Sequence, residues 1–449
     1  MTKEDLAQLE ELEAKDQLDE VEFARYEYLK KKVVNDARIA QFKKNQQEPY
    51  SSKRSRAVNL AWEFFKDSQI GGQCYVAVGG LDSITLYVFL RSIGIEVPAV
   101  SVSSLEDKSI QKVHKALGVK ALKPLKSKLE VIREFGWPVI SKEIAGKIDT
   151  LNHPTAENVT VRHAIITGET GAQGGYRTGT RMQLPKQWLK LFGGADEEGA
   201  ALGYQKAPIQ VSDLCCYWLK ELPCEMYHRD TGRWPYMGLM ASEKGRREKA
   251  LAINGCNYIS KNTRRSCPFA TFLRDDLLHL AREMDEWYHK HWQEFRPIVN
   301  EREDGIIEYG EPIHLETIVP AIYGDIYEDE RGVLQTRDAQ RTGCSMCGFG
   351  IHKEDRPHRF DLLWERNQKE WEFWMHRVMQ DDNGEWFGWD RVLDYIGVKW
   401  RKPWLYIEEK RNAEAVEQLS LFGKNEVAVV EITDVISDHI SEKGELYGN

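Results

Sequence analysis

The chain has 449 residues, of which 41% are hydrophobic, so it is long enough to form two or three domains with buried cores. Its formal net charge of −9 excludes a polycation that binds nucleic acid over its whole surface. The first twenty residues are acidic and lack an apolar core, and no run of about 18 apolar residues follows. We therefore expect no secretory signal, no membrane contact and a cytoplasmic location.

Residues 1–70 are predicted to form a helical arm. Leu6, Leu9 and Leu12 recur at roughly helical spacing among charged residues, and a similar pattern continues through Leu29. This pattern fits a helical hairpin that binds a protein partner. It fits equally well a helical cap that packs on the next domain.

Residues 71–285 alternate between short apolar runs and amphipathic segments. The run CYVAV is typical of a buried parallel strand, and the helix predicted after it ends near Gly94. VPAVSVSS and SIQKVHKALGV repeat the strand and the helix, and residues 137–143 indicate a further strand edge. The alternation predicts an α/β fold with a doubly wound parallel sheet.

The C-terminal part of the chain has a different composition. Residues 286–410 are rich in tryptophan and acidic residues and contain the last two cysteines, which predicts a mixed region. Residues 411–449 are predicted to be a loosely attached tail.

A glycine turn, VAVGGLDS, follows the first predicted strand. Gly79 and Gly80 let backbone N–H groups approach an anion, and the following helix presents its positive end to it. Asp82 can bind Mg²⁺ or orient a donor, and Ser83 can bond to a phosphate oxygen. A purely structural turn would also contain such a glycine pair.

This turn resembles the PP-loop, SGGxDS, of the adenine nucleotide alpha-hydrolase superfamily, which includes the phosphoadenosine phosphosulfate (PAPS) reductase family. Val78 replaces the first serine of that motif, and Leu81 stands where many members have lysine. The positions that match are Gly79, Gly80, Asp82 and Ser83. The resemblance implies that these four residues bind ATP or another adenine nucleotide.

Later segments are also similar to that family and extend the resemblance over roughly residues 70–380, and the segment that contains Cys344 and Cys347 resembles a prokaryotic or phage-type subgroup. Two of these segments lie in the middle of the chain. In the first, Lys220 and Pro223 follow a cysteine pair. The second matches at Gly238, Ala241, Glu243 and Arg247. The resemblance implies that Gly238, Glu243 and Arg247 contact the nucleotide, and that Arg247 takes part in catalysis with Asp82 and Ser83.

Four cysteines stand in two distant pairs, CC and CxxC. Four thiolates complete the coordination of a tetrahedral zinc ion or of an iron–sulphur cluster. The resemblance to sulfonucleotide reductases implies a four-iron four-sulphur cluster, while zinc and no metal remain open. The implied ligands are Cys215, Cys216, Cys344 and Cys347.

Three functions follow from these patterns. The first is an ATP pyrophosphatase that adenylates an acceptor and transfers sulphur with help from the cluster; a nucleic-acid acceptor and a sulphur-donor protein are its implied partners. The second is a sulfonucleotide reductase that releases sulphite from PAPS or adenosine phosphosulfate. That reading requires a nucleophilic cysteine near the C-terminus, and no cysteine follows Cys347. The third is a degenerate nucleotide sensor or scaffold with a partner on the helical arm.

Overall fold

The computed structural model describes residues 2–169, 182–243, 246–301 and 307–400. Within these ranges the α-helices are α1 (Lys3–Glu13), α2 (Glu20–Gln46), α3 (Tyr50–Lys66), α4 (Leu81–Ser92), α5 (Lys108–Ala116), α6 (Lys128–Phe135), α7 (Lys142–Asn152), α8 (Val159–Thr167), α9 (Lys186–Phe192), α10 (Glu197–Ala201), α11 (Leu222–Thr231), α12 (Arg246–Asn254), α13 (Arg274–His291), α14 (Arg359–Arg366), α15 (Gln368–His376) and α16 (Trp389–Tyr395). The strands are β1 (Cys74–Ala77), β2 (Ala99–Ser101), β3 (Lys120–Ala121), β4 (Val139–Ile140), β5 (Trp234–Met237), β6 (Asn257–Ile259), β7 (Arg264–Ser266), β8 (Ile298–Glu301), β9 (Ile307–Tyr309), β10 (Ile326–Glu328), β11 (Leu334–Thr336), β12 (Gly348–Phe349), β13 (Met379–Gln380) and β14 (Trp386–Phe387).

The main sheet has six strands in the order β3-β2-β1-β5-β7-β6. Neighbouring strands run parallel, except that β6 is antiparallel to β7. The predicted α/β class with a largely parallel sheet is therefore confirmed.

The helix predicted after the first strand is α4. It lies in the main hydrophobic core together with α13 and is buried along most of its length, which explains its nearly continuous apolar sequence. It begins at Leu81, so the last three residues of the GGLDS motif form its first turn. It ends at Ser92, and Gly94 follows in the left-handed conformation with φ 83°.

The strand edge predicted at residues 137–143 is β4, but this strand lies outside the main sheet. It pairs in parallel with β12, and Trp137 just before it forms a parallel bridge with Val211. Residues 137–140 therefore align two segments that are far apart in the sequence.

The helical arm is confirmed as helical. α3 buries Ala57, Ala61 and Phe64 in the main core, so it packs on the α/β part of the molecule. The first two helices form a hairpin with a small apolar contact of its own, in which Leu9 packs with Leu29. The proposed partner for this arm stays a prediction.

A second hydrophobic core joins residues from the middle and the end of the chain. It contains Trp137, Trp371 and Trp389, each at most 2% exposed, and covers β4 and β12. The tail 411–449 lies outside the described residues. Among the helices that are described, none has the length and apolar character needed to cross a membrane.

Candidate nucleotide cleft and cysteine centre

The glycine turn between β1 and α4 is closed by its own hydrogen bonds. The Gly79 N–H donates to Ser83 Oγ over 2.7 Å, and the Ser83 hydroxyl lies 3.0 Å from the Gly80 carbonyl oxygen, which accepts from it. These partners are at most four residues apart. The local sequence is therefore sufficient to shape the turn.

Two residues distant in sequence support the outer side of the turn. Tyr323 Oη accepts the Leu81 N–H over 2.9 Å and lies 2.6 Å from Thr342 Oγ1. A Cβ atom at Gly80 would lie 2.3 Å from Tyr323 Oη and 2.7 Å from Thr342 Oγ1. Glycine is required here because of this close approach, and no sequence pattern marks Tyr323 or Thr342 as a supporting residue.

Gly238, predicted to contact the nucleotide, lies against the inner side of the turn. A Cβ atom on it would be 2.9 Å from the carbonyl carbon of Asp82 and 2.9 Å from Ser83 Cα. The absence of a side chain lets the chain after β5 approach the start of α4. The side chains of Glu243 and Arg247, assigned to the same site, lie outside the described residues.

Asp82 forms an ion pair that the sequence did not predict. Arg274 Nη1 donates to Asp82 Oδ1 over 2.8 Å. The Nε and Nη2 atoms of Arg274 are buried and have no hydrogen-bond partner within the described residues. The guanidinium therefore offsets the charge of Asp82 beside the turn.

His114 holds the Gly79 carbonyl group in place. Its Nε2 lies 2.8 Å from the Gly79 oxygen, and its Nδ1 lies 2.9 Å from Ser103 Oγ. Because a carbonyl oxygen only accepts, Nε2 carries the proton and the Ser103 hydroxyl donates to Nδ1. Burial lowers the pKa of His114 and keeps the ring neutral, against opposing effects of Gly79 and Glu106.

A cleft of about 790 Å³ opens in front of the turn. Gly79, Gly80, Asp82, Ser83 and Gly238 all line it. Leu81 is fully buried, so it presents neither charge nor polar group to the cleft. Cations from other elements line the cleft instead: Lys220, Arg264, Arg341 and Arg359. Four carboxylates line the cleft as well: Asp82, Glu106, Glu221 and Glu225. The volume suits a small ligand, and the four cations offer donors to a phosphate group on it.

The segments that carry the two cysteine pairs are aligned by residues 137–140. Trp137 pairs with the segment before Cys215, and β4 pairs with the segment after Cys347. The Trp137 N–H donates to the Gln210 carbonyl oxygen over 2.8 Å, just upstream of Cys215 and Cys216. On the other side, β12 begins directly after Cys347 and pairs with β4. Residues 137–140 thus align both pairs.

The CxxC segment forms a tight turn. The Cys347 N–H donates to the Cys344 carbonyl oxygen over 3.1 Å, and Met346 adopts φ 53°, which is uncommon outside glycine. Met346 is 3% exposed and packs into the second core, which offsets the cost of this backbone conformation. Ser345 is fixed from outside, since its N–H donates to the Leu105 carbonyl oxygen and its carbonyl oxygen accepts from Lys128 Nζ.

The four thiols interact electrostatically with one another. Burial raises the pKa of Cys215, and negative charge on Cys216, Cys344 and Cys347 raises it further, against the effect of Lys128. Burial likewise raises the pKa of Cys344 to about 11. The two predicted cysteine pairs therefore lie close enough for the charge of one pair to affect the pKa of the other.

Three lysines surround this group: Lys128, Lys142 and Lys220. Four thiols among three cations fit an anionic thiolate centre, because each lysine offsets part of the charge that the thiolates would carry. No cluster of three or more histidine, cysteine, aspartate or glutamate residues in the described part of the chain is arranged to hold one metal ion. A single zinc ion with Zn–S bonds of about 2.3 Å would hold its four sulphur atoms about 3.8 Å from one another. A four-iron cluster holds its four thiolate sulphurs farther apart, because each sulphur binds a different iron.

Lys220 connects the thiols with the cleft. It lines the cleft, and its Nζ lies 2.6 Å from Oε1 of the buried Glu106, which also lines the cleft. Burial lowers the pKa of Lys220, but negative charge on Cys344 and Glu106 outweighs this, so the net shift is upward. One cation therefore borders both predicted sites.

The remaining cysteines lie elsewhere. Cys256 and Cys267 pack in a separate cluster, where the Cys267 N–H donates to the Cys256 carbonyl oxygen over 2.8 Å. Cys224 is partly buried and lines the cleft. Burial raises its pKa to about 11, so its thiol stays protonated at neutral pH.

Comparisons of the chain with protein-family models, with curated proteins and with solved structures find no match.

Proposed function

We propose that this protein is a PP-loop enzyme of the PAPS reductase type, which activates an acceptor with ATP and transfers sulphur to it beside a four-iron four-sulphur cluster. The observation that carries this proposal is the approach of four cysteines to one another next to the cleft lined by Gly79, Gly80, Asp82 and Ser83. Lys220, which borders both sites, is the direct link between them.

The proposal includes a doubly wound sheet. The strand order runs from β1 through β2 to β3 on one side and continues with β5 on the other. Neighbouring residues of β1 pack in different hydrophobic clusters. Val76 packs in the main core, whereas Tyr75 packs on Tyr227 of α11. Such a sheet binds its ligands where the strand order reverses, and the glycine turn follows β1 at that place.

Within the cleft, the residues of this chain would bind and orient the nucleotide. The turn and the N-terminus of α4 would hold a phosphate group, and the cations that line the cleft would neutralise its charge. An oxygen of the acceptor would attack the α-phosphorus of ATP, and pyrophosphate would leave. Hydrosulphide delivered by the sulphur donor would then attack the activated atom of the acceptor, so that a bond to sulphur forms as the bond to the oxygen of AMP breaks, with no change of oxidation state. Mg²⁺ would bind through Asp82 only if the ion competes with Arg274 for that carboxylate.

The cysteine centre would hold the cluster through Cys215, Cys216, Cys344 and Cys347. When bound, such a cluster supplies a redox-active site next to the nucleotide. Lys128 and Lys220 would offset its charge, and the hydrogen bonds to Ser345 would fix the CxxC turn.

Sulfonucleotide reduction is the second candidate, since the cysteine pattern also fits it. It needs a thiolate that attacks sulphur, and Cys224 is the cysteine among the described residues that line the cleft. The raised pKa of Cys224 makes its thiol a poor nucleophile, which favours sulphur transfer. A nucleotide sensor without turnover is the third candidate, motivated by the apolar Val78 and Leu81.

The test begins with anaerobic purification and measurement of bound iron and sulphide. The protein is then incubated with ATP and, separately, with PAPS and thioredoxin. We expect release of AMP and pyrophosphate from ATP, which Asp82→Asn abolishes. Sulphite release from PAPS would assign the reductase function instead, and nucleotide binding without any turnover would assign the sensor.

A further inference from the structure

One segment next to the cysteine centre is strongly basic. Residues 108–128 contain seven lysines and no aspartate or glutamate, in a chain whose formal net charge is −9. The segment comprises α5, β3 and the loop that leads to α6. A local reversal of charge sign of this size indicates an anionic partner.

On α5 the lysines form one exposed stripe. Lys108, Lys112 and Lys115 follow the spacing i, i+4, i+7, so they share a face, while Ile110 and Val113 are buried on the other. Among the residues that the structure describes, no acidic group forms an ion pair with these three lysines or with Lys123. Like charges at this spacing repel one another, so the stripe destabilises the helix unless an anion lies along it.

The basic surface continues to an aromatic group beside the thiols. Lys126 Nζ pairs with Glu134 Oε2 over 2.5 Å and also lies 5.1 Å from the ring centre of Trp218 and 5.8 Å from that of Phe135. These two rings stack with centres 5.5 Å apart and an angle of 16°. Tyr217, which directly follows Cys216, is 37% exposed and meets Trp218 edge to face.

A pocket of about 500 Å³ lies beside the loop between α5 and α6, and Glu130 and Glu370 contribute acidic groups to its lining. Its lining includes Ser104, Lys123 and Ser345, the last of which stands between the two cysteines of the CxxC turn. The chain itself joins the lysine stripe to the aromatic group, because the loop after α5 carries Lys123 and then Lys126, which lies over Trp218. We define the lysine–aromatic surface by Lys108, Lys112, Lys115, Lys123, Lys126, Phe135, Tyr217 and Trp218.

We propose that the lysine–aromatic surface binds single-stranded nucleic acid. Spaced lysines follow a phosphodiester backbone, and partly exposed rings stack with unpaired bases, which a duplex does not offer. An acidic protein would pair with the lysines but would have no use for the stacked rings. This inference deepens the proposed function by naming the acceptor class, yet binding itself requires no turnover.

The test measures binding by fluorescence anisotropy with the full-length protein. The probe is a labelled oligothymidylate of about 20 nucleotides, and a duplex of the same length serves for comparison. This length exceeds the roughly 4–16 nucleotides that an OB-fold domain, a common single-strand binder, covers. We expect tighter binding of the single strand. Between about 50 and 200 mM salt, the logarithm of the binding constant should fall with a slope of about −3, since each of four phosphates contributes about −0.7.

Charge-reversal variants locate the surface. Lys112→Glu combined with Lys115→Glu should weaken binding about tenfold or more, because two attractive charges become repulsive. Lys43→Glu combined with Lys44→Glu changes the net charge equally on exposed positions of α2 and should alter binding less than about twofold. Trp218→Leu should weaken binding of the single strand about tenfold and leave binding of the duplex unchanged.

Several outcomes would overturn the inference: no binding of the oligonucleotide at low salt, equal binding of the duplex, or an equal effect of the α2 control. Tight binding of polyglutamate that does not depend on Trp218 would assign the surface to an acidic protein. Circular dichroism of each variant separates loss of binding from loss of fold. Nucleotide turnover is measured independently, so oligonucleotide binding without ATP turnover would refute the proposed function and leave this inference standing.

Discussion

The glycine turn and the cysteine centre are built in different ways. In the turn, Gly79, Gly80 and Ser83 bond to one another within a few residues, and distant side chains then support a shape that already exists. In the cysteine centre, two short segments from distant parts of the chain are aligned by residues 137–140. The first site therefore depends on local geometry, and the second depends on the packing of the whole molecule.

The largest effect is expected from a substitution in the cysteine centre, formed by Cys215, Cys216, Cys344 and Cys347. Cys344→Ser should abolish retention of iron and sulphide after anaerobic purification, because a serine hydroxyl does not replace a thiolate ligand. Cys256→Ser is the matched control, since Cys256 lies in another cluster. Equal iron and sulphide in the two variants would show that Cys344 is not a ligand.

Two neighbouring glycines test how closely the turn is packed. Gly80→Ala places a methyl group against Tyr323 and Thr342 and should lower the free energy of unfolding by about 1–3 kcal/mol, with weaker nucleotide binding. Gly79→Ala should cost less, because the nearest atom would be 3.7 Å away. Urea unfolding and calorimetric titration with ATP measure both effects. Gly80→Ala combined with Tyr323→Phe should cost less than the sum of the two single changes, and full additivity would contradict the proposed contact.

Tyr323 tests the support of the turn from outside. Tyr323→Phe removes the acceptor of the Leu81 N–H and should cost about 1–3 kcal/mol, the penalty for an unsatisfied buried donor. Faster hydrogen exchange of the Leu81 amide is the local measurement. The control is Tyr327→Phe, which changes a tyrosine that is 42% exposed. Unchanged exchange at Leu81 would mean that the turn holds its shape without this bond.

The smallest effect is a pH dependence. Burial lowers the pKa of His114 below its ordinary value of about 6.5, so the unfolded chain binds the proton more readily. Stability should therefore decrease as the pH falls below about 6.5, and His114→Gln should remove that part of the decrease. Urea unfolding at several pH values measures it. If the wild-type protein and His114→Gln lose the same stability as the pH falls, His114 is not the titrating group.

Sequence patterns predicted the parts of the structure that depend on neighbouring residues. The strand, glycine turn and helix at residues 74–92 follow from an apolar run, a glycine pair and an amphipathic pattern. Tyr323, Thr342 and Arg274 were missed because no local pattern marks a residue whose role is to contact a distant loop. The strand at 139–140 was predicted, but its partners were not.

The sequence by itself therefore determined that a strand, a tight glycine turn and a helix follow one another, because hydrogen bonds within four residues and a nearly continuous apolar run suffice for that. Only the tertiary structure decided that Cys215 and Cys216 meet Cys344 and Cys347 beside the turn. That meeting depends on which strands pair with β4 and on the burial of Trp137, Met346 and Trp389 in one core. Strand pairing between distant segments is selected by this packing, and the residues next to each cysteine do not encode it.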